Sequence, residues 1–414
     1  MKLAPLSAAA LFPLYQGLGL LRRLGLVPQR YLVFGSNQGL AFMDNSRYLF
    51  LALEGQPEAV WVTRSEEVKC AIEALGRNVV HLYSWAGLRV LLQARGFVLS
   101  HSTWDASPLF MKAAPVLQLW HGYPLKRIGF DADGWRAGGL QGLKNRVKRG
   151  LYRLFPHAQY NYADRLAWTG GVDEAQTAFG LAPEQLAPVG FPRYQAFDDA
   201  FYQAHEAQLT SPALEALAAR RAAGAKLLVY APTHRIETAD DGGRGQDAAL
   251  RRLIAALEAS GDPSLHLVVK GHLLDEGGAT PGGDRVTFYS ERDIYPLMRQ
   301  ADLLITDYSS VFYDFLLLDR PMVFYPYDLD HYGARLGFYQ PYEGEVPGPV
   351  CREAAEVIAA CEAALAAPEA DAPRRAALRE RVFGAALSEA GGVDMAAARA
   401  LLEGLFGLSP PEPR

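Results

Sequence analysis

An α/β fold built on two parallel sheets follows from three features of the sequence. Short apolar runs alternate with stretches of helical period through most of the chain, the pattern of strands wrapped by helices on both faces. The series restarts after an Ala-rich charged segment near the middle. At 414 residues the chain has room for two to three domains of about 150 residues each. The expectation is two Rossmann-like units in series. In the first, strands are read at 31–35, 59–63, 79–83, 96–100 and 116–119. In the second they are read at 226–231, 266–270, 286–289, 303–306 and 322–325.

The boundary is placed just before the helical segment 203–224, giving a first domain over 1–195 and a second over 196–390. Residues 391–414 are read as a C-terminal helix and a tail that frays at SPPEPR. The Gly-rich stretches 240–245 and 276–283 carry too few apolar residues to dock and are expected to be mobile loops.

Composition narrows the classes of function. Lys and Arg number 41 against 46 Asp and Glu, a formal charge of −5, which excludes a nucleic-acid binder that works by bulk charge. Half the residues are apolar, enough for sizeable cores and too many for a disordered chain. Cys70, Cys351 and Cys361 are odd in number and lack CxxC spacing, so neither a disulfide framework nor a zinc site is indicated and a reducing cytoplasm fits. The apolar run from Leu3 to Leu21 is interrupted by Pro5, Pro13 and Gln16. A crossing helix needs about 20 unbroken apolar residues, so the reading is a segment that lies on a membrane or packs on its own domain.

Four stretches place chemistry at the carboxyl ends of strands, the edge where open parallel sheets bind ligands. In LQLWHGYPLKRIGFD (117–131), a strand delivers His121 into a turn forced by Gly122 and Pro124. An imidazole with an ordinary pKa near 6.5 there can take a proton from an attacking hydroxyl. In LLITDYSSVFYDFLLL (303–318), the strand ends at Thr306 and Asp307. Ser309 and Ser310 then stand where a helix begins and amides and hydroxyls suit phosphate oxygens, while simple capping explains one residue of the set. KLLVYAPTHR (226–235) ends on Thr233, His234 and Arg235, the last suited to a bidentate phosphate clamp. LVVKGH (267–272) ends on Lys270 and His272. Each basic strand end is ordinary alone; their convergence on one edge of one sheet is the argument.

These residues resemble the CDP-glycerol glycerophosphotransferases of teichoic acid and capsule synthesis. The family's WHGTPLKxIGxD is similar to 120–131, its PTWR to 232–235, its KxHP to 270–273 and its ITDYSSxxxDxxxxxxP to 305–321. Part of GxPRxD is similar to 190–193, and DNSRYL to 44–48. The order agrees from about residue 30 to 340. Tyr123 replaces the usual Thr, His234 the usual Trp and Leu273 the usual Pro, and Leu336 breaks the usual RGFY. The resemblance implies the GT-B architecture, two Rossmann-like domains with an interdomain cleft.

It also implies a CDP-glycerol or related CDP-alditol donor, and transfer of alditol phosphate to a hydroxyl of a lipid-linked or polymeric glycan, with release of CMP. His121 would be the acceptor's base on an acceptor-side first domain, with His272 a second catalytic histidine. Arg235, Thr233, Lys270, His272, Asp307, Ser309 and Ser310 would hold the donor diphosphate. Asp314 would contact the polyol or orient its neighbours. No cofactor and no metal is obligatory in this scheme: Asp131 with Asp133, and Asp328 with Asp330, read as loop or capping residues rather than metal ligands. The rival readings are another GT-B nucleotide-sugar glycosyltransferase or epimerase, and an inactive membrane-associated binding protein.

From residue 136 to 153 there are six basic residues and no acidic one. KNRVKRGLYRLF forms a helix with Val147, Leu151, Leu154 and Phe155 near one face, among Lys144, Arg146, Lys148 and Arg149. Such a helix is either solvated and packed on its domain or laid on an anionic membrane surface. With Lys126 and Arg127 these cations are assigned to acceptor or membrane contact. The expected location is cytoplasmic, peripheral on the inner face of the cell membrane, with no nucleic-acid partner.

Overall fold

The computed structural model describes residues 17, 20–21, 24–136, 138–233, 242–271, 283–330, 337–386 and 395–407. The chain forms two compact units. The first comprises Met1–His121, Ile128–Gln195 and Ala385–Arg414; the second comprises Gly122–Arg127 and Ala196–Gly384.

The first unit is built on seven parallel strands: β1 (Tyr31–Gly35), β2 (Ala59–Thr63), β3 (Val79–His81), β4 (Ala94–Leu99), β5 (Val116–Gln118), β6 (Arg165–Trp168) and β7 (Leu186–Pro188). Their order is β3-β2-β1-β4-β5-β6-β7. β2 and the last four residues of β1 are buried, as continuous apolar runs in a sheet covered on both faces must be. The second unit has five parallel strands: β8 (Lys226–Ala231), β9 (Leu265–Lys270), β10 (Val286–Tyr289), β11 (Leu303–Thr306) and β12 (Met322–Phe324), in the order β10-β9-β8-β11-β12.

Strand order fixes where each unit can bind. The winding direction reverses between β1 and β4 in one sheet and between β8 and β11 in the other. At such a reversal the connections leave toward opposite faces, which opens a crevice at the strands' carboxyl ends. The loops that follow β1, β4, β8 and β11 therefore line the crevices of the two sheets.

Ten of the twelve strands sit where the apolar runs put them; β6 and β7 were not anticipated. β6 begins on Arg165 and β7 spans three residues ending on Pro188. Neither gives a run long enough to stand out, and a proline is tolerated in β7 because that strand is at the sheet edge. The Gly-rich 242–245 is also not a loop, since it forms the start of helix Gly242–Ala259. The buried stripe Ala249, Leu250, Leu253, Ile254 and Leu257 anchors that helix, and cooperative propagation carries it back through poor helix formers. Residues 240–241 and 276–282 lie outside the described residues.

The helix read within 391–414 is present. Helix Met395–Phe406 belongs to the first unit, and Leu402 and Phe406 join the core formed by Leu32, Phe34 and Val98. Gly96 in β4 makes this possible, because a Cβ there would lie 2.1 Å from the Phe406 ring. Residues 408–414 lie outside the described residues.

Phe406→Ala should destabilise the first unit by about 3–5 kcal/mol, the usual cost of truncating a buried aromatic. Urea unfolding followed by tryptophan fluorescence checks this, and an unchanged transition would mean that the helix contributes nothing to the core.

Candidate active site

In the first unit a buried carboxylate organises the crevice. Asp105 Oδ2 accepts the amides of Ser100 (3.0 Å), His101 (2.6 Å) and Ser102 (3.1 Å) after β4, while Oδ1 accepts the amide of Gln38 (2.8 Å) after β1. Gly35 permits the close approach: a Cβ on it would fall 2.2 Å from the Asp105 carbonyl oxygen.

His121 enters this crevice from β5 through Trp120, which is held in the left-handed region at φ 56°. A bulky residue there is strained by roughly 1–3 kcal/mol and stays only if its surroundings insist. Asn45 supplies the insistence. Its Nδ2 donates to the carbonyls of Leu119 (3.3 Å) and Trp120 (2.8 Å), and its Oδ1 accepts the Arg193 amide (3.1 Å). Beside it Asp44, itself at φ 61°, takes a 3.0 Å ion pair from Arg193, both side chains being buried. The DNSRYL-like and GxPR-like stretches, far apart in sequence, thus meet as one brace behind the histidine. Sequence reasoning matched both stretches without finding this role, and it passed over His101 altogether. The only available signal for His101 was its position just beyond the carboxyl end of a strand read correctly.

The His121 imidazole donates from Nδ1 to the Ser100 carbonyl (3.2 Å). A carbonyl can only accept, so Nδ1 carries the proton and Nε2 of the neutral ring keeps its lone pair. Burial pushes the His121 pKa down to about 3; a charged His101 adds to this, Asp44 and the Ser100 bond oppose it, and Arg193 lowers it further. The ring is therefore an unprotonated acceptor across the neutral range.

The second unit repeats the device at its own crevice. Asp307, fully buried after β11, accepts at Oδ1 the amide and the hydroxyl of Thr233 after β8 (2.7 Å each) and the amide of Tyr308 (2.5 Å). Tyr342 donates to the Asp307 carbonyl at 2.8 Å. Ser309 and Ser310, half-buried, follow directly, Ser310 preceding the five-residue helix Val311–Phe315 without a side-chain hydrogen bond to its amides. Asp314 is buried and accepts the Tyr295 hydroxyl (2.8 Å). Lys270 ends β9 with Nζ 5.9 Å from the centre of the Tyr289 ring. Burial lowers its pKa against the pull of Asp293 and Glu291.

The structure thus brings Thr233, Asp307, Ser309 and Ser310 together. It gives Asp307 and Asp314 the work of holding neighbours, because both are enclosed and engaged by protein donors. Arg235 and His272 lie outside the described residues. Lys126 and Arg127 belong to the second unit, where Lys126 pairs with Phe338 and the Arg127 amide donates to Gly337 (3.3 Å). Lys144, Arg146, Lys148 and Arg149 belong to the first unit, on helix Gly139–Leu154. Of the acidic pairs, Asp131 accepts the Thr177 hydroxyl, Asp328 the Tyr308 hydroxyl, and Asp330 pairs with Arg352.

The family model for CDP-Glycerol:Poly(glycerophosphate) glycerophosphotransferase matches residues 21–386. The chain belongs to that family. As a glycerophosphotransferase it is 28% identical over 350 residues to the teichoic acid glycerol-phosphate transferase of Staphylococcus aureus, covering 79% of this chain and 82% of that one. It is 27% identical to the teichoic acid poly(glycerol phosphate) polymerase of Bacillus subtilis, over 81% of this chain but only 44% of the polymerase. Its fold is that of a solved variant of the wall teichoic acid polymerase TagF, with a TM-score of 0.70 at 21% identity, across 95% of this chain and 93% of that one. Two Rossmann-like units of the GT-B kind, expected from the sequence, are the architecture of this glycerophosphotransferase.

Burial raises the pKa of Asp44, but Arg193, His101, His121 and the Asn45 amide together lower it below the ordinary 3.8. Its stabilising contribution is therefore complete above 3.8 and is lost as pH falls through the lower folded value. Asp44→Asn, which leaves Arg193 buried without its anion, should cost about 3–5 kcal/mol at neutral pH. The deficit should shrink once the wild-type carboxylate is itself protonated. Urea midpoints for both proteins, taken at neutral pH and below the ordinary carboxylate range, check both the size and the sign.

Proposed function

We propose that this glycerophosphotransferase moves glycerol phosphate, or a related polyol phosphate, from a CDP-alditol to a hydroxyl of a lipid-linked or polymeric glycan. The acceptor oxygen forms a bond to the donor's β-phosphorus, and the bond from that phosphorus to the bridging oxygen breaks. CMP leaves with the electron pair, and the hydroxyl proton passes to His121 Nε2. The observation that carries this reading is the tautomer of His121. A ring committed to the Ser100 carbonyl through Nδ1 offers a lone pair at its other nitrogen and stays neutral until well below physiological pH.

The charge that appears on His121 is compensated by the Asp44 carboxylate and by the anionic substrates. On the donor side, the hydroxyls of Ser309 and Ser310 are assigned to the diphosphate, with Lys270, Arg235 and the second catalytic histidine, His272, supplying cationic or hydrogen-bonding groups. Thr233 and Asp307 set the shape of the loops that present them, and Asp314 keeps Tyr295 in place beneath.

Helix Gly139–Leu154 supports a membrane-surface partner. Its polar and aromatic side turns toward the protein: Asn145 donates to the carbonyls of Gly134 and Trp135, Lys148 lies over Trp135, and Arg149 over Phe130. Its apolar stripe is left outward, with Leu140 70%, Val147 58% and Leu154 71% exposed. Apolar side chains facing water among cations suit a bilayer interface with anionic lipid. Among the described residues no helix is long and apolar enough to cross a membrane. The enzyme is accordingly assigned a peripheral position on the inner face of the cell membrane.

His121→Ala should lower turnover of CDP-glycerol by about 10²–10⁴-fold with the fold intact. Mass measurement of the product and of released CMP, across CDP-glycerol, CDP-ribitol and UDP-sugars with membrane acceptors, tests donor and base together. Turnover of UDP-sugars alone would make the enzyme a sugar transferase or epimerase, and binding without any turnover an inactive binding protein.

Leu140→Ser combined with Leu154→Ser should weaken co-sedimentation with vesicles containing anionic lipid by about 10-fold or more, since each leucine is worth roughly 1.5–3 kcal/mol on burial. Equal sedimentation of the double variant and the wild type would remove the helix from the membrane contact.

A further inference from the structure

His101 has no part in the transfer scheme above, yet its ring stacks on that of His121. Its Nδ1 accepts the Asn37 amide (3.2 Å) and lies 3.4 Å from Ser36 Oγ. A nitrogen that accepts carries no proton, so the neutral ring bears its proton on Nε2, 3.5 Å from Asp44 Oδ2. The imidazole is held at both ends, and its plane is fixed. It lies within 11° of parallel to the His121 ring, with centroids 4.7 Å apart.

The surrounding backbone is built for this arrangement. Of the five non-glycine residues at positive φ among those described, four are Asn37, Gln38, Asp44 and Trp120. Asn37 and Asp44 tether His101, the Gln38 amide binds the carboxylate that shapes the His101 loop, and Trp120 delivers His121. Strain concentrated in this way persists where the structure over-determines it and tends to mark a working site.

Stacked rings share no hydrogen bond, so His101 cannot carry the proton onward. The charged groups facing the pair are Asp44, Arg193 and Asp105, whose Oδ2 lies 4.0 Å from His101 Nδ1. Asp44 and Arg193 are paired with each other, and the His101 ring lies flat against that of His121. We propose that His101 is a positioning residue for the transfer. Tethered by Asn37 and Asp44, it fixes the plane of the His121 ring that takes the acceptor's proton. The proposal rests on His121 being the base. A charged His101 ranks next after burial in holding His121 down, so removing its capacity for charge moves His121 upward.

The test uses the full chain as wild type, His101→Phe, His101→Gln, His101→Ala and His121→Ala. Turnover of CDP-glycerol is measured alongside the titration of His121, followed by ¹³C-labelled histidine NMR. His101→Ala should lose about 10–100-fold in kcat with KM for the donor changed by no more than about twofold. His101→Phe keeps the stack without the charge. It should recover part of that loss, and its His121 titration should move to higher pH by about half a unit or more. His101→Gln, which keeps polar contact without a ring, serves where the Phe variant does not fold; its His121 should also titrate higher, with kcat near that of the Ala variant. An unmoved His121 titration in the folded variants, or a wild-type kcat in His101→Ala, overturns the proposal. Normal turnover by His121→Ala defeats the base assignment instead, so the two failures can be told apart.

Discussion

Both units depend on one kind of interaction, a buried carboxylate that gathers the amides of two loops where strand order reverses. Asp105 does this between the loops after β4 and β1, and Asp307 between those after β11 and β8. Loop amides enclosed away from water need partners, and a charged acceptor serves several at once with bonds stronger than neutral ones. The result is a crevice with fixed walls, in which loops distant in sequence are held together. An acidic residue at an edge proposed to hold a diphosphate is therefore no paradox, since its charge is engaged by loop donors.

The histidine in the first crevice shows what such rigidity permits. Trp120 and Asp44 sit in backbone conformations that a free chain would leave, and the Asn45 and Arg193 contacts offset that preference. The gain is chemical. An imidazole fixed by its carbonyl partner presents one defined nitrogen, so in the proposed transfer no rotation or tautomer exchange precedes the proton's movement. Removing any member of the brace is thus expected to affect geometry before it affects binding.

Much of this was legible from the sequence because parallel strands buried on both faces must be continuous apolar runs, and ten such runs stand out. β6 and β7 escaped because brevity and an edge proline blur that pattern. The turn at His121 and the Ser309–Ser310 pair could be read from Gly, Pro and Ser at strand ends. What those residues touch could not. Asp307 read as a phosphate-site residue until its contacts showed it turned toward Thr233 and Tyr308. Asp44 and Arg193 carried no sign of each other across 149 positions, and His101 lacked the flanking Gly and Pro that made His121 conspicuous. Pairings set by tertiary structure leave no period in the sequence.

The seat of helix Met395–Phe406 on the first sheet has a bearing on biosynthesis. The face of Leu32, Phe34 and Val98 is made early, but the residues that cover it, Leu402 and Phe406, emerge only after the whole second unit. The first sheet waits, with apolar surface open, while the whole second unit is made. A nascent chain in that condition is a natural client for a holding chaperone, and release of a fragment ended before this helix would favour aggregation over function.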